Sequence, residues 1–322
     1  MEISCGHYGL VIRNITSFKT NLQACSFVNL GLALPTTLIN LTLIVAIVTS
    51  NECKKPCQEL LLNLAFTDLL TGVTSMPFHF IEFRLIAFLK DPCQFSNVAI
   101  PLGYVIGIAS FLTVTVIAVE RYVKIFCPYV YHTRFNPCTV IVFLFVIWAF
   151  SVICVVPTAV TKNAYPLHLF VVLVAVFGSS VNVYCYLRIL LRARKTRRQI
   201  EAEVARFGRR VPSQRERNLL FVGGLIIISL SLSYTPIVLS KLAKVLGIRG
   251  DAWDYALCWE WTLAMANSLM NPLISCVFNP VVRMKIVRMW TCKANGNRMS
   301  QREGRENNTT SIAMQSFRLK NM

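Results

Sequence analysis

The stretch Ala118-Val119-Glu120-Arg121-Tyr122 stands at the end of a long apolar run, residues 98–117. An acid and an arginine side by side at the edge of a hydrocarbon span are costly unless they have a partner or a task. Arg121 could simply extend its side chain to the lipid headgroups, as flanking arginines do. A second interpretation gives it a distant partner, because Glu216 opens another apolar run and could form a latch with Arg121 between two helices.

The composition indicates a membrane protein. Of 322 residues, 55% are hydrophobic and 15% are charged, whereas a soluble domain carries about 25% charged residues. The net charge of +18 would suit nucleic-acid binding. The basic residues, however, are confined to the connectors between apolar runs, which argues against that function.

The apolar runs predict an all-α bundle of seven transmembrane helices, since a span needs about 20 mostly apolar residues. We place the spans at residues 27–49, 60–83, 98–126, 138–159, 167–191, 218–246 and 255–278. Most of the lysines and arginines fall on one set of connectors, which puts the N-terminus outside and the C-terminus in the cytoplasm. The predicted parts are an outer segment (1–26), the bundle (27–279), a short amphipathic eighth helix on the membrane surface (280–291) and a disordered tail (292–322).

The Glu120-Arg121-Tyr122 triplet, with Pro128 beyond it and Asn271-Pro272 in the last span, resembles the rhodopsin-like (class A) G-protein-coupled receptors. This resemblance implies a plasma-membrane receptor for an extracellular ligand. It also implies activation of a heterotrimeric G protein by opening of the cytoplasmic ends of helices three and six, with arrestin and receptor kinases as further partners. The residues it assigns to G-protein coupling and to the latch are Glu120, Arg121, Tyr122 and Glu216.

A polar cluster is expected around Asp68, the deepest acid of the second span. A buried acid that lacks partners costs several kcal/mol. One interpretation is a hydrogen-bonded network around a protonated aspartate; the other is a site for a small hard cation. The resemblance favours a sodium pocket formed by Asp68, Ser110, Asn267, Ser268 and Asn271, and no other cofactor or metal is expected.

Two helix switches depart from the pattern of the family. Tyr234 precedes Pro236 where the family usually has tryptophan, and Ser275 follows Pro272 where the family has tyrosine. The prolines predict kinks in the helices. These substitutions put the usual activation relay in doubt, although the architecture is clear.

Four cysteines lie on the oxidising side of the membrane, and the sequence alone does not select among their pairings. They are Cys5, Cys25, Cys93 and Cys258. The connector 158–168 contains no cysteine, a feature shared with melanocortin, cannabinoid and sphingolipid receptors. Its short length most resembles the melanocortin type, while Tyr186-Leu187-Arg188-Ile189 resembles adenosine receptors.

Two covalent modifications are expected near the ends of the chain. Asn14 lies in a glycosylation sequon ahead of the first span. Cys292, just beyond the predicted surface helix, is a candidate for palmitoylation, and a plain free thiol is the alternative.

The ligand site is expected at the outer mouth of the bundle. Its candidate residues are His79, Glu82, Lys241, Glu260 and Trp261, although interfacial anchoring is an alternative role for the tryptophan. These residues would suit a small peptide, a nucleoside or a lipid. An amine salt bridge of the kind found in amine receptors is not expected, because residues 100–108 contain no acid.

Other classes of protein fit less well. The four histidines lie on separate segments without metal-ligand spacing, and no glycine-rich phosphate loop is present, so an enzyme is not expected. A transporter, the main alternative, would show paired halves with interrupted helices. A retinal protein would need a lysine in the last span, and none occurs between Lys244 and Lys285.

Overall fold

The computed structural model describes residues 3–5, 10–12, 15–49, 56–88, 90–161, 163–207, 214–248 and 251–278. Within these segments it describes no side chains for residues 3–18, 200–228, 251–255 and 275–278, nor for a few single positions. The statements below concern these described residues.

The described chain is almost entirely helical, as the sequence predicted. The helices are α1 (Ile15–Val48), α2 (Pro56–Leu70), α3 (Met76–Ala87), α4 (Cys93–Phe126), α5 (Pro128–Arg134), α6 (Pro137–Thr161), α7 (Tyr165–Phe207), α8 (Gln214–Val245) and α9 (Asp251–Phe278). Two short strands precede them, β1 (Ile3–Cys5) and β2 (Leu10–Ile12), which pair antiparallel with Ser4 opposite Val11. The sequence analysis did not predict this hairpin.

Five of the predicted spans are long and apolar enough to cross a membrane, judged over the described residues. They are Lys19–Val48, Cys57–Ala87, Cys93–Phe126, Pro137–Thr158 and Tyr165–Thr196. Helices α8 and α9 occupy the places of the sixth and seventh spans. The all-α fold of a membrane-spanning bundle is therefore confirmed.

Several helices extend beyond the predicted spans. Helix α1 begins at Ile15 rather than at residue 27, and α4 begins at Cys93 rather than at residue 98. Helix α7 continues to Phe207, beyond the predicted end of the fifth span at residue 191. The polar ends are helical because a backbone that has begun a helix gains one hydrogen bond for each residue added.

The second span is continuous but irregular, because a π-helical segment, Thr71–Ser75, joins α2 to α3. Helix α1 packs closely against this segment. A Cβ atom on Gly72 would lie 2.7 Å from Thr37 Oγ1 and 3.0 Å from the Thr37 backbone nitrogen, so only glycine permits this approach. The segment shifts the register of α3, which carries two of the candidate ligand residues.

The largest buried cluster lies in the outer half of the bundle and includes Met76, Tyr104, Ile237 and Trp261. Smaller clusters follow towards the inner end, where Ala118 packs with Cys185 and Tyr186. The outward-facing sides of α1 and α6 remain apolar and exposed, as helices that contact lipid require.

Candidate functional site

The predicted cluster around Asp68 is assembled in the middle of the bundle. Asp68 is fully buried. Ser110 Oγ of α4 lies 3.3 Å from Asp68 Oδ1, and Asn271 Nδ2 of α9 donates to Asp68 Oδ2 at 3.0 Å. The Ser268 hydroxyl also interacts with Asp68. Two helices, α4 and α9, thus supply hydroxyl and amide groups to the carboxylate of α2.

Asn267 is the member of this set that bonds elsewhere, because its Oδ1 accepts from Ser229 Oγ of α8 at 2.9 Å. On the other side Asn40 Nδ2 of α1 donates to the Ser268 carbonyl at 3.1 Å. The cluster therefore connects α1, α2, α4, α8 and α9. Among the described residues no group of three or more histidine, cysteine or acidic side chains has the arrangement of a metal site.

The outer candidate residues form two buried polar pairs on either side of one tryptophan. His79 Nδ1 lies 2.7 Å from Glu82 Oε2, and Ser96 Oγ donates to Glu82 Oε1 at 2.6 Å. Lys241 of α8 forms a salt bridge with Glu260 of α9, and both side chains are buried. These charges are paired because an isolated charge is strongly disfavoured in a low-dielectric interior.

Trp261 joins the two pairs. Its ring centroid lies 4.9 Å from that of His79 and 5.0 Å from that of Tyr104. Lys241 Nζ stands 5.7 Å from the same ring, within the range of a cation–π contact. The five residues predicted for the ligand site thus lie together, and Tyr104 and Ser96 join them.

A cavity extends inward from this aromatic group between α4, α7, α8 and α9. The space between its walls, including the solvent at its open mouth, is about 740 Å³. No acidic, basic or histidine side chain is among its described lining residues. The walls include Ser75, Gly103, Tyr104, Phe111, Tyr234 and Trp261.

The Glu120-Arg121-Tyr122 triplet lies at the inner end of α4, where the short helix α5 contacts it. Tyr131 Oη donates to Glu120 Oε1 at 2.8 Å, and Glu120 is fully buried. Arg121 donates from Nη2 to Cys57 Sγ at 2.8 Å, and its Nε lies 3.4 Å from Glu120 Oε2. Tyr122 stacks on Phe126, with ring centroids 4.7 Å apart. The described contacts of Arg121 are therefore with α2 and with its own neighbour.

Burial and the hydrogen bond to Glu120 raise the pKa of Tyr131 above its ordinary value. Tyr131 consequently remains protonated across the physiological range and can donate to Glu120 throughout. The sequence analysis missed this residue. The signal for it was Pro128, because proline at the first helical position predicts a short helix there.

Comparison with known proteins finds similar sequences among seven-transmembrane receptors. The sequence model of the family described as "7 transmembrane receptor (rhodopsin family)" matches residues 39–168. Trace amine-associated receptor 9 of Rattus norvegicus is 28% identical over 306 residues, which cover 84% of this chain and 88% of that receptor. Melatonin receptor type 1B-B of Danio rerio is 23% identical over 278 residues, covering 78% and 77%.

Over residues 39–168 the chain is thus similar to the rhodopsin family of seven-transmembrane receptors. The melanopsin of Homo sapiens is 23% identical over 283 residues, which cover 79% of this chain and 59% of the melanopsin. The chain thus spans about three fifths of the length of the melanopsins that it matches. The relatives are receptors, in agreement with the expectation that this chain is not an enzyme.

The cysteines of the receptor separate into two groups. Cys93, at the start of α4, is disulfide-bonded. The sequence analysis left its pairing open, and its partner lies outside the described side chains. Cys25 Sγ of α1 and Cys258 Sγ of α9 are buried thiols 2.9 Å apart. Asn21 Nδ2 lies 3.5 Å from Cys258 Sγ.

The substituted switch Tyr234 packs edge-on against Phe111 of α4, with ring centroids 4.9 Å apart. Pro236 and Pro272 lie inside α8 and α9, as predicted. Pro35 and Pro101 also lie inside helices, α1 and α4, which continue past them.

Several predicted residues of the receptor lie outside the described residues or side chains. They are Cys5, Asn14, Glu216, Ser275 and Cys292, together with the surface helix and tail beyond residue 278. Their assignments stay predictions, including the latch partner of Arg121.

Proposed function

We propose that this receptor binds a neutral, largely apolar small molecule in the cavity below Trp261 and responds by activating a heterotrimeric G protein. It acts at the plasma membrane with its N-terminus outside. The observation that carries the ligand class is the cavity lining, which is aromatic and aliphatic with a few hydroxyl groups.

The charges of the outer half support a neutral ligand. Lys241 is engaged by Glu260, and Glu82 accepts from both His79 and Ser96. A charged ligand would have to displace one of these buried partners and leave the other unpaired, which costs about 3–5 kcal/mol. Of the peptide, nucleoside and lipid classes considered from the sequence, this environment favours a lipid or a molecule of similar polarity.

An amine ligand is not favoured, although amines appear in the name of two relatives. The stretch 100–108 of α4 contains no acid, and the described cavity wall contains none either. An ammonium group in such a cavity would lack a counter-ion.

The cavity also offers a route from ligand to G protein. Ser110 and Ser268 line its inner end, and both interact with Asp68. A sodium ion at Asp68 would hold α2, α4 and α9 together and favour the resting state. A ligand that moves either serine changes the affinity of the Asp68 site for sodium. By thermodynamic linkage, sodium bound at that site changes the affinity for the ligand by the same factor.

At the inner face, Glu120, Arg121 and Tyr122 are the residues proposed to control coupling. Release of Arg121 from Cys57 and Glu120 would free its guanidinium for the G protein. Arrestin and receptor kinases would bind the same face and the tail. The relatives reported above give no support to the alternative of a transporter.

The cavity can be tested by filling it. A Cβ atom on Gly107, which lines the cavity, meets nothing within 4 Å, and the same is true of exposed Gly31 on α1. Cells expressing the receptor are screened for G-protein activation against neutral apolar, cationic and anionic compounds. We expect neutral apolar agonists whose responses are lost in Gly107→Leu and retained in the matched control Gly31→Leu. Charged agonists that are unaffected by Gly107→Leu would overturn the proposal.

A further inference from the structure

One buried nitrogen at the edge of the cavity has no partner among the described residues. His79 is 1% exposed, and its Nε2 makes no hydrogen bond there. A Cβ atom on Gly103 would lie 3.5 Å from this nitrogen and 3.4 Å from Trp261 Cζ3. Since Gly103 lines the cavity and carries no side chain, a recess between His79 and Gly103 brings the cavity wall close to Nε2.

The surroundings of His79 determine what this nitrogen offers. Glu82 accepts from Ser96 at Oε1 and faces His79 Nδ1 with Oε2. Imidazole is a stronger base than a carboxylate, so the hydrogen of this contact is assigned to Nδ1, which donates to Glu82 Oε2. In the neutral imidazole Nε2 then presents a lone pair that can accept a hydrogen bond.

A second group lies close by on the same helix. Ser75 is four residues before His79, is 3% exposed and lines the cavity, and its Oγ has no partner among the described residues. Positions i and i+4 share a helical face. Buried polar atoms of this kind are normally hydrogen-bonded, and here an acceptor and a hydroxyl border one recess in an otherwise apolar cavity.

We propose that the recess between His79 and Gly103 is the polar end of the ligand site and binds a hydroxyl group of the ligand. The ligand O–H donates to His79 Nε2, and its oxygen accepts from Ser75. The preferred ligand is therefore an alcohol or phenol on an apolar skeleton. An ether or ketone of the same shape lacks the hydrogen that Nε2 requires. This assignment rests on the neutral-ligand cavity of the proposed function.

Two probes of nearly equal shape test the assignment. 2-Naphthol carries an O–H, whereas 2-methoxynaphthalene replaces its hydrogen by a methyl group. Their affinities for the purified receptor in lipid nanodiscs are measured by the shift in melting temperature over a concentration series. We expect 2-naphthol to bind about tenfold more tightly, which is the range of one buried hydrogen bond.

The variants separate recognition from folding. His79→Phe removes the acceptor and should equalise the two affinities, but it also leaves Glu82 short of a partner. Gly103→Ala keeps His79 and Glu82 and only fills the recess at ordinary contact distances, so it should equalise the affinities in a folded receptor. Gly31→Ala adds the same methyl group outside the cavity, where it meets nothing within 4 Å, and should preserve the preference.

Other results would contradict either the hydroxyl site or the apolar cavity, and the two cases can be told apart. Equal affinities in the unaltered receptor, or a preference that survives Gly103→Ala, would overturn the hydroxyl site and leave the apolar cavity standing. Tighter binding of 2-naphthoic acid than of 2-naphthol would show that Nε2 donates rather than accepts, and would also overturn it. Binding of neither neutral probe up to its solubility would contradict the cavity proposal itself.

Discussion

Tyr131 of the short helix α5 donates a hydrogen bond of 2.8 Å to Glu120, the acid of the triplet that begins the cytoplasmic end of α4. The inner face is thus restrained by a loop helix as well as by contacts between spans. Glu120 Oε2 has no hydrogen-bond partner among the described residues, so the bond from Tyr131 is important for keeping this buried carboxylate satisfied.

Tyr131→Phe should therefore destabilise the resting receptor and raise ligand-independent signalling. Leaving a buried acceptor unsatisfied costs about 1–3 kcal/mol. Nucleotide exchange on purified G protein, at matched receptor concentration, measures the effect. Tyr129→Phe is the control, because Tyr129 lies on the same helix and is 81% exposed. Equal basal exchange in the two variants would mean that the bond has no role in holding the inner face.

Glu216→Ala should raise basal exchange as well, and Arg121→Ala should abolish coupling. The latch assumes that Glu216 approaches Arg121 from α8, and a partly exposed charge pair contributes about 1 kcal/mol or less. That change alters a resting population several-fold. The same nucleotide-exchange assay tests this prediction. If Glu216→Ala leaves basal exchange unchanged and Arg121→Ala couples normally, both residues are only charges at the ends of their membrane spans.

Sodium should stabilise the receptor through Asp68. Purified receptor is heated in sodium chloride and in choline chloride at equal ionic strength, and the melting temperature is recorded. We expect a higher melting temperature in sodium, and no difference between the salts in Asp68→Asn. Asp91→Asn is the control, since Asp91 is exposed and caps Cys93 N at 2.8 Å, a bond that asparagine can also accept. If the melting temperature of the unaltered receptor is the same in sodium chloride and in choline chloride, Asp68 belongs to a structural hydrogen-bonded network only.

The architecture was predictable from the sequence because about 20 apolar residues in a row have few alternatives to a membrane helix. The π-helical segment at Thr71–Ser75 was not predictable from the sequence, since it depends on how closely α1 approaches Gly72. The His79–Glu82 contact follows from their spacing of three residues on one helix.

Contacts between helices were harder to foresee than contacts within one. The five outer candidates were found as isolated polar or aromatic residues near span ends, yet nothing in the sequence joined Lys241 to Glu260 or brought Tyr104 to Trp261. Those pairings depend on the rotation of each helix about its axis. From the sequence, this rotation can be inferred only from the period of the apolar residues. That period carries little information when both the lipid-facing side and the core-facing side of a helix are apolar.

The disulfide of Cys93 should join it to Cys5. Cys25 and Cys258 are thiols in contact with each other, and Cys5 is the remaining cysteine of the outer set. The receptor is unfolded without reductant, treated with N-ethylmaleimide and digested, and the peptides are weighed before and after reduction. We expect alkylated Cys25 and Cys258, and a Cys5–Cys93 peptide pair that separates on reduction. Alkylation of Cys93 before reduction would contradict this assignment.

The Lys241–Glu260 pair should show strong coupling between its members. Each side chain is buried, so a single change leaves the other charge without compensation, at a cost of about 3–5 kcal/mol. Lys241→Met and Glu260→Gln should each lower the melting temperature and the surface expression markedly. The double variant should recover much of the loss, because no uncompensated charge remains and an apolar or neutral pair of similar volume packs comparably.

Lys90→Met, at an exposed lysine on the same outer side, controls for the loss of one positive charge and should be nearly neutral. If the two losses simply add in the double variant, then Lys241 and Glu260 act independently, each through its own packing against Tyr104 or Trp261, and the charge pair does not hold α8 to α9.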